Sequence, residues 1–156
     1  MENAMFHHIL QAQSKYAKCI DDDRLEDWPS FFTDDCLYRV TTADNEKHGL
    51  AASVMFADSR AALIDRITAL REANIYERHS YRHILSAPVV LSEAAHEVVS
   101  ETSFLLVRIM RDGVTDLFLS GRYQDKYCVE NDRLLLSERI VVCDSSRIDT
   151  LLAIPV

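Results

Sequence analysis

Glycine is scarce in this sequence: Gly49, Gly113 and Gly121 are the only three, and they lie far apart. A phosphate loop, a dinucleotide fingerprint or a nucleophile elbow needs glycines close together, where the main chain must turn sharply or approach a ligand. None of those devices fits here. Basic charge is also short, with 17 Lys and Arg against 25 Asp and Glu and a formal net charge of -8. An acidic surface repels nucleic-acid phosphates and anionic lipid, which argues against either as a partner. No apolar run approaches the roughly 18 residues that cross a bilayer. Met1 to Leu10 holds Glu2 and two histidines and lacks a basic segment followed by an apolar one, which reads against a secretion signal. A soluble, cytoplasmic chain is expected.

The four cysteines (Cys19, Cys36, Cys128, Cys143) are informative for what they cannot build. A Rieske centre needs two Cys and two His on paired loops, and no cysteine here has a histidine two or three positions away. In a reducing compartment they read as small buried hydrophobes. A mononuclear iron site needs two histidines and a carboxylate. His79 and His83 have helical metal-site spacing, but Ser80 replaces the glutamate of that motif, and Arg78 and Arg82 flank the pair. The segment also leads into a strand, where residues four apart are about 13 Å apart along the chain. No metal or cofactor is expected in this chain.

What is present is a globular composition, 48% hydrophobic and 27% charged over 156 residues, enough for one domain spanning 1–156. Phe6, Ile9, Leu10, Gln13, Tyr16, Ala17 and Ile20 recur at helical spacing and predict a helix from about 3 to 20. Asp23 and Glu26 have the form of a capping box for a second, short helix that Pro29 limits to a turn or two. Residues 36 to 42 alternate as a strand, 43 to 56 read as a loop, and Asp58 to about Glu72 reads as a helix capped by Asp58 or Ser59. The runs 82–92, 97–110, 115–129 and 133–143 are β-branched or aromatic. Asp112-Gly113 predicts a type I′ hairpin turn, and Asn131-Asp132 the next turn. In the third run Leu117, Leu119, Gly121, Tyr123, Tyr127 and Val129 should share the covered face. Helices followed by a meander of long strands make an α+β fold, with the sheet curling around the helices as a cone.

At this point a resemblance becomes legible. Tyr16-Ala17-Lys18-Cys19-Ile20-Asp21, Leu25-Glu26-Asp27-Trp28, Phe31-Phe32 and Asp34-Asp35-Cys36-Leu37-Tyr38-Arg39-Val40 come first. Arg78-His79-Ser80-Tyr81-Arg82-His83, Leu119-Ser120-Gly121-Arg122-Tyr123-Gln124-Asp125 and Glu138-Arg139-Ile140-Val141-Val142-Cys143-Asp144 follow. In that order and spacing they resemble the β (small) subunits of aromatic-ring-hydroxylating dioxygenases, within the NTF2-like, cystatin-like cone superfamily. The stretch from Arg71 to Arg78 and the Thr150-Leu151-Leu152-Ala153 tail look closest to the small subunits of aromatic-carboxylate oxygenases acting on terephthalate, salicylate or anthranilate. The resemblance implies a hexamer of three large (α) and three small chains, with β–β contacts in a trimer. It further implies a Rieske [2Fe-2S] cluster and a mononuclear Fe(II) in the partner α subunit, served indirectly by a ferredoxin or reductase. Where many relatives follow the histidine matching His83 with Ser-Asn, this chain has Leu85-Ser86-Ala87-Pro88.

Two other readings stand beside it. Cones of this kind often enclose a pocket where a few polar groups perform dehydration or isomerisation without a cofactor. Here Tyr16, Asp35, Tyr38 and His83 would be the candidates, a buried carboxylate or imidazole as base and a tyrosine polarising a carbonyl. A small-ligand or structural binding module is the other. For assembly, the arginines Arg78, Arg82 and Arg122 are candidate contacts to carboxylates across a subunit boundary, and equally candidates for internal salt bridges. The apolar tail, with Leu151, Leu152 and Ile154, must dock either on its own domain or on a neighbour.

Overall fold

A computed structural model describes residues 3–73, 76–147 and 152–156, and in it helices pack against one curved sheet. Helix α1 (Asn3–Asp21) buries Ile9, Gln13, Tyr16, Ala17 and Ile20 of the stripe that its 3.6-residue repeat predicts, while Phe6 is half-buried and Leu10 exposed. Its end is a Schellman motif. Asp23 takes a left-handed φ of 60°, its amide donates to the Ile20 carbonyl (3.0 Å), and the Arg24 amide donates to that of Cys19 (2.9 Å). This corrects the expected capping box. Asp23 closes the first helix instead of opening the second, and Arg24 holds the cap position of the 3-10 turn Leu25–Phe31 with no side-chain cap. The carboxylates of Asp23 and Glu26 turn away to Arg71, at 3.1 and 2.7 Å. Pro29 does confine that second element to seven residues, from which Leu25 and Trp28 are buried.

Strand β1 (Phe32–Thr42) begins earlier than its alternation predicts. The segment read as a loop holds α2 (Ala43–Lys47), where the Thr42 side chain accepts from the Asn45 amide, and β2 (Met55–Ala57). Elements of five and three residues are too short to display a period. Helix α3 (Arg60–Ala73) buries Leu63 and Ile67, and Ser59 is its cap, accepting from the Ala62 amide at 3.1 Å.

The second half is a set of strands: β3 (His79–Leu85), β4 (Val89–Glu93), β5 (Glu97–Met110), β6 (Thr115–Glu130) and β7 (Arg133–Cys143). The run 82–92 is therefore two strands, interrupted at Ser86-Ala87-Pro88, and both pair with β5. The sheet order is β2-β1-β7-β6-β5-β3, antiparallel throughout except that β1 runs parallel to β7. The type I′ turn expected at Asp112-Gly113 is found instead at Asn131-Asp132. At Asp112-Gly113 only Gly113 has positive φ (92°), with its amide bonded to the Met110 carbonyl, which is a type I turn followed by a glycine bulge. Asn131 (49°) and Asp132 (60°) are both positive and form the tight I′-type turn.

Bulges curl the sheet into a cone. One of them places Leu106 opposite Leu119 and Val107 opposite Leu117, so Phe118 is an extra residue. Every side chain before it changes face, and Leu117, expected inside, is 62% exposed. From Leu119 to Tyr127 the inner face is as expected, and it includes Asp125, which an apolar pattern does not flag.

Gly121 sits where β6 and β7 come closest. A Cβ built there would lie 2.1 Å from the main-chain oxygen of Val142. Main chain cannot swing aside, so Gly121→Ala should lower stability by about 1–3 kcal/mol, the usual cost of overpacking. Urea unfolding would read this as a lower midpoint with an unchanged slope. An unmoved midpoint would mean that the two strands part freely.

Candidate functional site

In a cone, the space between the helices and the concave sheet face is where a substrate would sit. Here side chains and the tail fill it. Tyr16 comes from α1, Trp28 from the 3-10 turn and Tyr38 from β1, and all three are buried to within 1%. Both phenols donate to the main-chain oxygen of Val156, Tyr16 at 2.9 Å and Tyr38 at 3.0 Å, and the Val156 amide donates back to the Tyr38 hydroxyl at 3.1 Å. The Trp28 indole N–H donates to the Tyr16 hydroxyl at 3.0 Å. Burial pushes the phenols of Tyr16 and Tyr38 above their ordinary range, so both stay protonated. Leu152, Ile154 and Val156 are part of the core. The described part of the tail thus docks on its own domain, and Leu151 lies outside the described residues.

Beside this plug lies a buried ionic cluster. Arg139 on β7 is bidentate to Asp125 on β6, Nε to Oδ1 at 2.7 Å and Nη2 to Oδ2 at 2.8 Å, and neither side chain is exposed. The guanidinium lies between the faces of Tyr16 (4.2 Å) and Tyr123 (4.0 Å), a cation–π sandwich. Gln13 on α1 completes the cluster. Its carbonyl accepts from Arg139, and its amide donates to Asp125 at 2.8 Å and to Thr102 on β5 at 3.2 Å. Burial opposes the Arg139 charge, but the adjacent Asp125 carboxylate overrides it and holds the guanidinium well above its ordinary value. Such a cluster binds α1 to three strands. Sequence pattern marks Gln13 as part of a helical stripe but does not mark Asp125 or Arg139, whose partners are distant in the chain.

His83 on β3 is held by a carboxylate that the sequence reading did not single out, Asp21. Its Nδ1 lies 2.6 Å from Asp21 Oδ1, and its main-chain N–H donates to Asp21 Oδ2 at 2.9 Å. The imidazole is 0% exposed and its Nε2 is buried without a partner. Asp21 orients the ring, as a carboxylate does in acid–base pairs. Yet a general base must come within hydrogen-bond reach of a substrate proton, and this one is sealed in the core. Asp35 is exposed on β1. The structure therefore brings Tyr16 and Tyr38 together on the tail, places His83 on Asp21, and leaves Asp35 outside, an arrangement that does not favour cofactor-free dehydration or isomerisation.

The arginines separate into two kinds. Arg78 and Arg82 are exposed at the start of β3. Arg122 is held internally, 3.6 Å from Glu46 and 3.9 Å from Glu101. The outer sheet face carries exposed apolar side chains: Ile84 opposite Leu105, with Val89 and Leu117 nearby. Among the described residues no group of three or more His, Cys, Asp or Glu side chains is placed to hold a metal ion. His79 and His83 sit on a strand rather than a helix, and their Nδ1 atoms are engaged by the Glu77 carbonyl and by Asp21. Burial raises the thiols of Cys36 and Cys143 to about 11, which keeps them protonated and unreactive at neutral pH. No described helix is long and apolar enough to cross a membrane.

Comparison with known proteins places this geometry. The family profile described as ring hydroxylating beta subunit matches residues 15–150. The chain is 54% identical over 147 residues to the beta 1 subunit of the terminal oxygenase component of terephthalate 1,2-dioxygenase from Comamonas sp, covering 94% of this chain and 96% of that one. It is 34% identical over 148 residues to the anthranilate 1,2-dioxygenase small subunit of Burkholderia cepacia, covering 95% and 92%. A crystal structure assigned as the beta subunit of an aromatic-ring-hydroxylating dioxygenase from Novosphingobium aromaticivorans superposes with a TM-score of 0.91 at 36% identity, covering 99% of each chain.

Proposed function

Since this chain belongs to the family of ring-hydroxylating β subunits, we propose that it is the structural scaffold of an oxygenase acting on a terephthalate-like aromatic carboxylate. The chain is the small subunit of an aromatic-ring-hydroxylating dioxygenase, and its partner is the large oxygenase subunit. The assembly is a hexamer of three large and three small chains, with the Rieske cluster and the mononuclear iron in the large chain and electrons delivered there by a ferredoxin or reductase. The small chains contact one another through the outer sheet face, where Ile84, Leu105 and Leu117 are 53%, 43% and 62% exposed. Exposed apolar side chains gathered on one sheet face fit a surface that a neighbour covers. The observation that carries the scaffold role is the filled interior. Tyr16, Tyr38, Arg139 and the tail occupy the volume a cone enzyme would leave for its substrate.

Iron, colour and mass of the purified chain, alone and co-expressed with its large partner, test this reading. The isolated 17.8 kDa chain should be colourless and should form a coloured, roughly equimolar complex with the large subunit. Within that complex Asp35→Asn should leave turnover of the aromatic acid unchanged, while His83→Ala should act only through stability or assembly. Stoichiometric iron on the isolated chain, or turnover of a small ketone or alcohol that His83→Ala abolishes, would overturn it.

A further inference from the structure

A cleft of about 410 Å3 opens between the C-terminal ends of α1 and α3 and the start of β3, outside the filled interior. Its size lies within the roughly 300–1,000 Å3 of small-molecule sites. Its lining carries two carboxylates, Asp21 and Asp23, and two guanidiniums, Arg71 and Arg78. Both oxygens of Asp21 are taken by His83, through the ring and the main-chain N–H. Both oxygens of Asp23 are taken by Arg71, which Glu26 also holds. Arg78 remains, exposed in the cleft and without a carboxylate partner among the described residues. Of the two lining arginines it is the one that pairs with no described carboxylate.

Next to Arg78 stands an aromatic wall. The His79 ring lies between Tyr76, edge-on at 5.6 Å, and Tyr81, tilted at 5.3 Å. The wall is held from behind: Tyr81 stacks on Phe118 at 6.1 Å, and its hydroxyl donates to the Ile154 carbonyl at 3.3 Å. His79 is fixed by Nδ1–H donating to the Glu77 carbonyl at 2.7 Å, which leaves Nε2 as its free ring nitrogen. One guanidinium free of an ion pair, beside a rigid aromatic wall, is a complementary surface for a flat anion that carries a ring. Guanidinium binds a carboxylate through two parallel hydrogen bonds, and aromatic rings favour edge-to-face and offset contacts.

We propose that this cleft binds an aromatic carboxylate, with Arg78 taking the carboxylate, Tyr76 and His79 taking the ring, and the buried Tyr81 holding His79 in place. The inference rests on the reading of the substrate class as aromatic carboxylates, and it places a site for that class on this chain. Titration of the full chain with terephthalate, followed by calorimetry and saturation-transfer NMR, tests it. Saturable binding of one terephthalate per chain is expected, and Arg78→Gln should weaken it about tenfold or more, the worth of a charge-assisted hydrogen-bond pair. Arg78→Lys should fall between, because it keeps the charge and loses the fork. Arg82→Gln, four residues further on and outside the cleft, should bind like wild type. Toluene, which lacks the anion, and succinate, which lacks the ring, should each bind more weakly than terephthalate. Absence of saturable binding, or equal weakening by Arg78→Gln and Arg82→Gln, would sink the site. A chain that assembles with the large subunit but binds no terephthalate loses the site and keeps the subunit role. A chain that binds through Arg78 but never assembles does the reverse.

Discussion

Asp125→Ala is expected to destabilise the folded chain by about 3–5 kcal/mol, the cost of stranding a buried cation. Both Asp125 and Arg139 have fully enclosed side chains, so no solvent screening reduces the figure. Removing the carboxylate deletes two short bonds, of 2.7 and 2.8 Å, and leaves the Arg139 guanidinium with Gln13 and two aromatic faces. For a domain of this length that loss lowers the thermal midpoint by about 2–4 °C per kcal/mol. The double variant Asp125→Leu with Arg139→Met separates a broken pair from a missing one. A well-packed apolar pair is often neutral or stabilising relative to a buried ion pair, so the double variant should melt closer to wild type than Asp125→Ala does. Thermal and urea unfolding of wild type, Asp125→Ala and the double variant decides it. If Asp125→Ala melts within a degree or two of wild type, the cluster does not hold α1 to the sheet.

Shortening the chain to residues 1–151 should have an effect at least as large. That cut removes Leu152, Ile154 and Val156, which are 5%, 5% and 0% exposed. It also strips the hydroxyls of Tyr16 and Tyr38 of the oxygen that both donate to. Loss of one large buried aliphatic side chain costs about 2–5 kcal/mol, and unpaired buried hydroxyls add to it. Three such losses together rival the roughly 5–15 kcal/mol that holds a domain folded. The shortened chain should therefore show no cooperative melt above 25 °C and should fail to recruit the large subunit. A shortened chain that melts like the full one would mean that the tail is an ornament, and that the cone closes without it.

Both results bear on how this cone differs from one that does chemistry. The same concave face that could hold a substrate is here given to a plug and an ion cluster. The polar groups that looked catalytic are engaged in holding the fold. Tyr16 and Tyr38 anchor the tail, and His83 ties β3 to the end of α1 through Asp21. The surfaces proposed to carry function are the apolar sheet face and the cleft beside Arg78.

Much of this was legible from residue order. The stripe of α1, the cap at Ser59, the strands 97–110 and 133–143, and the ordered residue sets that resemble the β subunits all follow from short-range periods and local residue chemistry. Those signals act between residues a few positions apart, so a linear reading captures them. The turn types were less legible. Whether Asp112-Gly113 or Asn131-Asp132 takes two positive φ values depends on the register between strands, and composition alone does not settle that. The single extra residue at Phe118 reversed the face of Leu117 for the same reason.

What tertiary structure alone decided is which distant groups meet. Gln13 reaches Asp125 across 112 residues and Arg139 across 126, and Tyr16 reaches Val156 across 140. No local pattern encodes such pairs, because each depends on how the whole sheet curves and on which edge β1 joins. Sequence by itself therefore determined the longer elements and the family. Closure of the chain in space determined that the cone is filled, which carboxylate holds His83, and that Arg78 pairs with no described carboxylate.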